Sequence, residues 1–423
     1  MSVAYVNGSV VTPSGVVSGT VVVDGGVITS IGAQREADEV VDVSGCVIMP
    51  GFVDLHTHLR EPGKEEAETI RTGSRAGARG GYTALVAMPN TNPAQDSVMV
   101  VEFVRAQGVK AGYVDVVPSG CITVGRQGEA LAPYADLRSV GVTLFTDDGN
   151  GVQDAQLMRR ALEYARDLDV TLAQHCEVSA LTKGAVMHEC SCSSDLGLPG
   201  WPALAEELML HRDIELVRLT GAKMHFLHLS TARSVELVRR AKQDGLPVTA
   251  EVTPHHLSLT SETLRSFDAT FKVNPPLRTM DDIDALKAGV LDGTIDAIAT
   301  DHAPHVRREK ELPLDQAPPG MIGLETALGV VQAELNLSPE RLAEVMSVNP
   351  ARIARLSEHG QLLEVGATAN FCVADLSESW SIDGYSFESK SSNSPFAGKA
   401  LKGRVRHTVF RGKRVVVDGG VAK

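Results

Sequence analysis

His56 and His58, in DLHTH, are separated by one residue, so on an extended strand both side chains project from the same side. Such a pair can offer two imidazole nitrogens to one metal ion. His175 in AQHCE and His228 in HFLHLS follow at the ends of later apolar runs, as do Asp147 and Asp148 in LFTDDG and Asp301 in ATDHAPH. An isolated H-x-H is weak evidence for metal, and a lone histidine at a strand end is ordinarily a hydrogen-bonded polar residue. Four histidines and two carboxylates, Asp301 and one of the adjacent aspartates, at successive strand ends point instead to one metal centre. Imidazole and carboxylate donors without thiolate suit zinc first, with manganese or cobalt as substitutes. Six donors exceed the three protein ligands usual for one catalytic zinc, so two ions sharing a bridging group are expected. Ions so placed activate water at neutral pH and polarise a carbonyl.

Positioning these groups requires strands that end at one face. The chain between residues 51 and 360 alternates short apolar runs with helix-like stretches, the pattern of parallel α/β architecture. Eight runs qualify as strands: GFVDLHTHL, YTALVAMPN, YVDVVPSGCI, VTLFTDD, VTLAQHCE, KMHFLHLS, VTAEVTPHH and DAIATDHAPH. Between them, DAQLMRRALEYARDLD, TARSVELVRRAKQDG and TMDDIDALKAGVLDG read as helices. Eight such units predict a TIM-like (β/α)8 barrel, whose sites lie at the C-terminal ends of its strands. An open doubly wound sheet is the alternative, but no G-x-G-x-x-G follows the first strand. Short Val/Ile runs broken by Gly-rich turns fill residues 1–50, and 361–423 repeat the style. The two ends are therefore expected to form one composite β-sandwich domain beside a catalytic barrel spanning 51–360.

Bulk properties narrow the partners. A net charge of −13 over 423 residues disfavours nucleic acid and anionic membrane, but not an anionic small substrate held by local arginines. The start, MSVAYVNGSV, lacks the pattern of a signal peptide, and no apolar run approaches a membrane span. Six scattered cysteines read as free thiols in a reducing cytoplasm. Cys190 and Cys192 form a C-x-C, which falls short of the four donors of a structural zinc site. VRREKELPLDQAPPG, residues 306–320, is charged and Pro-rich, and is expected to be a mobile loop beside the active face.

PGFVDLHTHLREPG, GGYTALVAMPNTNP, FTDDGNGVQ, AQHCE, HLSTARSVELV, VTAEVTPHHL, FKVNPPLR and ATDHAPH occur in this order. Together they resemble the cyclic amidohydrolase branch of the amidohydrolase superfamily, and within it the bacterial type I dihydroorotases. The resemblance implies two zinc ions per subunit, His56 and His58 at the more buried one, and His175 and His228 at the other. It implies that Asp301 contacts metal and transfers the proton. Many relatives bridge their metals with a carboxylated lysine at the end of strand four; here FTDDG offers no lysine. The resemblance assigns the bridge to an aspartate, for which Asp148 is chosen over Asp147. It further implies that Arg60, Asn90 and His305 hold a substrate carboxylate, with His58 alongside. Asn274 and backbone groups at Pro319 and Gly320 would hold a ring amide. His255 and His256 stay unassigned. The implied reaction is reversible hydrolysis of dihydroorotate, a step of pyrimidine synthesis. A homodimer and a complex with aspartate transcarbamoylase both stay open. The rival readings are a dihydropyrimidinase, hydantoinase or allantoinase, and a non-catalytic transcarbamoylase scaffold.

Overall fold

All eight apolar runs form strands in the computed structural model, which describes residues 1–33 and 36–422. They are Phe52–Thr57, Tyr82–Ala87, Asp115–Pro118, Leu144–Thr146, Thr171–Gln174, Lys223–Phe226, Val248–Val252 and Ala297–Ile298. Strands one to three pair in parallel, as do strands four to eight. Two parallel bridges join the sets, Gly120 with Phe145 and Thr57 with His302, and these close the ring into a barrel.

Val86, Leu144, Ala173 and Ala297 belong to one buried cluster drawn from four different strands. Stepping two residues at a time from each leads to Asn90, Asp148, His175 and Asp301, so alternation carries the inward row to the site. A larger apolar cluster lies between strands and helices, where Leu162, Val235, Val238 and Leu286 meet Leu172, Met224 and Ala250. The three helix-like stretches form Ala155–Asp167, Ala232–Gln243 and Met280–Asp292. Asp154, Thr231 and Thr279 cap them by accepting first-turn N–H groups, the expected use of these residue types.

Strands from both chain ends share one nine-stranded sheet, joined where Val47–Pro50 pairs antiparallel with Phe371–Trp380. Tyr5 meets Phe371 edge-on at 5.1 Å within its core. The chain between Trp380 and Leu401 returns to the barrel mouth, where Asn393 Nδ2 donates to the carbonyl of Ala303 at 3.0 Å. Among the described residues, no helix is long and apolar enough to cross a membrane.

Candidate metal centre

Two triads of donor atoms meet at the C-terminal mouth of the barrel. His56, His58 and Asp148 form one and Asp148, His175 and His228 the other, each with its atoms within 4.8 Å of one another. Asp148 is common to both. Its Oδ1 lies 3.2 Å from His56 Nε2, 3.4 Å from His175 Nδ1 and 3.6 Å from His228 Nε2, and its Oδ2 lies 3.4 Å from His58 Nε2. Asp301 Oδ1 stands 2.9 Å from His58 Nε2 and 3.4 Å from His56 Nε2. Asp147 turns away: its carboxylate accepts from the N–H groups of Ile122 and Thr123 and from the Thr123 hydroxyl.

The donor set fits divalent cations. Glu251 Oε1 lies 2.9 Å from His56 Nδ1, Asn90 Oδ1 lies 3.0 Å from His58 Nδ1, and Glu177 Oε2 lies 3.1 Å from His175 Nε2. These oxygens only accept, so each fixes a proton on one ring nitrogen and leaves the other nitrogen's lone pair facing Asp148. His175 Nδ1 and His228 Nε2 face each other at 2.9 Å, a spacing at which two lone pairs repel unless a cation or proton lies between them. Although 3.2 Å apart, His56 Nε2 and Asp148 Oδ1 are buried without a hydrogen-bond partner among the described residues. Both are atoms that a metal would satisfy.

Electrostatics agree. Burial opposes charge on His56, yet Asp148 and Asp301 hold it well above the ordinary imidazole range. Burial likewise opposes protonation of His175, but Asp148 and Glu177 raise it to about 9. Burial alone would raise Asp148 and Asp301, but the surrounding histidines hold both below the usual carboxylate range, so both are ionised. The two ionised carboxylates thus draw positive charge onto the ring nitrogens around them, a place that protons take without metal and that divalent cations would take when bound.

Of the twelve residues predicted to form the site, all but His56 line one cavity of about 190 Å³. Arg60 is buried, and its Nε donates to the Pro304 carbonyl at 3.1 Å rather than pairing with Glu61 or Glu65. Asn274 Nδ2 donates to Glu177 at 3.3 Å, while its Oδ1 is buried with no partner among the described residues. His305 Nε2 lies 2.9 Å from the Pro319 carbonyl, which makes that nitrogen the donor.

Sequence reasoning missed Glu251, Glu177 and Asp54. Glu251 spans His56 and His225, the latter at 3.0 Å from its Oε2. Asp54 accepts from the N–H groups of His56 and Thr300 and from the Thr300 hydroxyl. A lone carboxylate inside an apolar run, as in FVDLH and VTAEV, was the available signal. The unassigned His256 holds Thr253 at 2.7 Å and the Pro275 carbonyl at 3.0 Å, bracing the turn that carries Asn274. His255 is buried, with its Nε2 unpartnered among the described residues. Cys190 and Cys192 both lie against Ser261, and among the described residues neither joins a metal-capable group. Within the 306–320 segment Arg307, Arg308, Glu311 and Gln316 are exposed, while Lys310, Leu314 and Ala317 are buried.

Residues 45–234 match the family described as "Dihydro-orotase-like". The chain is 48% identical to the dihydroorotase of Streptomyces coelicolor, over 94% of this chain and 95% of that protein. It is also 48% identical to the dihydroorotase of Mycobacterium tuberculosis, over 95% of each. Among solved structures, the fold is similar to L-hydantoinase (dihydropyrimidinase) from Arthrobacter aurescens, with a TM-score of 0.89 and 24% identity over 100% of this chain and 97% of that one. Dihydropyrimidinase from Brevibacillus agri NCHU1002 gives 0.85 and 23%, over 100% and 96%. These two likenesses speak to the fold alone.

Proposed function

The chain belongs to the dihydroorotase family of cyclic amide hydrolases, and on that premise we propose how its residues interconvert (S)-dihydroorotate and N-carbamoyl-L-aspartate. His56, His58 and Asp301 would hold one divalent ion, zinc by preference, and His175 and His228 a second, with Asp148 shared. When bound, such ions activate water and polarise the scissile carbonyl. The observation carrying this reading is the pair of triads sharing Asp148 beneath a cavity walled by Arg60, Asn90 and Asn274.

Asp301, ionised and facing the cavity, takes a proton in the hydrolytic direction and delivers it to the departing amide nitrogen. Arg60 and Asn90 hold the substrate carboxylate, with His305 beside them. The unpartnered Oδ1 of Asn274 accepts from a ring N–H. Metal analysis together with turnover of dihydroorotate tests the whole assignment.

Proton balance gives a further check. Carbamoyl aspartate carries two carboxylates and dihydroorotate one, so ring closure consumes a proton. The closed-to-open ratio at equilibrium should rise about tenfold for each unit the pH falls, between the relevant pKa values. Chromatography of the end point, approached from both sides, reads this ratio. A ratio independent of pH would mean that another reaction is catalysed.

Dihydrouracil is dihydroorotate without its carboxylate, so it isolates the Arg60 contact. A charge-assisted bidentate pair contributes about 2–4 kcal/mol, or roughly 30- to 1,000-fold in kcat/KM. The wild type is expected to prefer dihydroorotate by that factor, and Arg60→Ala to lose most of the preference. Arg60→Lys should recover part, since an ammonium lacks the planar fork. Equal use of both substrates by the wild type would favour a dihydropyrimidinase instead. If Arg60→Ala weakens both substrates equally, Arg60 is structural.

A further inference from the structure

Pro318 and Pro319 have no backbone N–H, so the stretch Pro318–Gly320 cannot be fixed by an ordinary backbone ladder. It is held through its carbonyls. Lys310, only 8% exposed, donates to the carbonyls of Pro318 and Gly320 at 2.9 Å each, and to that of Lys272 at 3.4 Å. Asn393 Nδ2 adds a bond to the Gly320 carbonyl at 3.1 Å, and His305 takes the Pro319 carbonyl. The Gly320 N–H donates to the same Lys272 carbonyl at 2.9 Å. Lys272 in turn donates to the carbonyl of Leu314, at the middle of the segment. Three carbonyls converge on the Lys310 amine, and among the described residues no carboxylate pairs with it.

Gly320 allows no substitute for this clamp. Its φ is +136°, and a Cβ there would lie 2.8 Å from the Ala303 Cβ and 2.9 Å from His305 Nε2. The backbone itself must form the cavity wall, so a side chain elsewhere must hold it.

We propose that Lys310 is a positioning residue of the substrate cavity, whose amine latches Pro318 and Gly320 into the wall that faces the ring. The consequence for substrate rests on the reading that Pro319 and Gly320 meet the ring amide. Without Lys310, the carbonyls of Pro318 and Gly320 lose their amine donor and the segment loosens from the mouth.

The test compares wild type with Lys310→Met, which keeps the length and removes every donor, and with the milder Lys310→Gln. Protease cleavage within residues 311–317 and steady-state kinetics on dihydroorotate are followed at equal metal content. In Lys310→Met, cleavage should quicken roughly tenfold or more, and KM should rise by a similar factor with a smaller change in kcat. Lys310→Gln, which keeps two donors, should fall between, and serves alone if the Met variant does not fold. Cleavage at the wild-type rate in the folded variants overturns the latch. Faster cleavage with unchanged KM keeps the latch but overturns the reading that residues 318–320 face the substrate.

Discussion

Asp148→Ala is expected to strip the site of metal and reduce turnover to background, whereas Asp147→Ala keeps metal and activity. The two neighbours differ in what their carboxylates touch. Asp148 reaches four imidazole nitrogens within 3.6 Å, so its loss removes the one group common to both triads. Metal affinity should fall by more than the roughly 10- to 100-fold that losing an outer partner of a ligand costs. Asp148→Asn, which keeps the shape but not the charge, should lie close to the alanine variant. Asp147 instead ties down the backbone at Ile122 and Thr123. Its removal leaves buried N–H groups without acceptors, at a cost of about 1–3 kcal/mol of stability. Elemental analysis of the purified variants, with thermal unfolding alongside, separates these outcomes. Metal retained in Asp148→Ala and lost in Asp147→Ala would reverse the assignment of the shared ligand.

The second large effect is a loss of rate without loss of metal. Asp301→Asn should hold most of its metal, because His56, His58, Asp148, His175 and His228 remain. Its kcat should fall by about 100- to 10,000-fold, the usual share of a positioned general acid–base. Asparagine keeps an oxygen near His58 but cannot accept and return a proton. The pH–rate profile should also lose the limb that Asp301 contributes. Near-normal turnover in a metal-replete variant would remove Asp301 from the mechanism.

The barrel was readable because most of its strands are buried on both faces and so appear as largely apolar runs. The candidate ligands stand out because they sit at the ends of those runs, where a polar residue needs a reason. Asn393 illustrates what was not. It lies in SSNSPF, a stretch with the composition of any turn, and its use emerges only where the chain folds back onto Ala303 and Gly320. Lys310 was hidden for the opposite reason: a lysine among charged neighbours reads as solvated. Only the convergence of carbonyls from Lys272, Pro318 and Gly320 draws it inside. Glu251 and Asp54 carried a local signal, but His56 lies 195 residues from Glu251 and Thr300 lies 246 from Asp54, so spacing could not identify these pairings.

The ring of strands closes where the first meets the last, through the Thr57–His302 bridge, the bond from His58 N–H to the His302 carbonyl, and the Asp54 carboxylate gripping Thr300. His58 and Asp301 flank this junction 243 residues apart in the chain. Ions bound there would cross-link residues 243 apart in the chain, a constraint whose entropic advantage grows with loop length. Metal occupancy is then also a term in folding stability, since whatever binds the native chain and not the unfolded one shifts that equilibrium. A chelator would therefore lower the melting temperature as well as stop the reaction, with the first opening at the junction between strands one and eight.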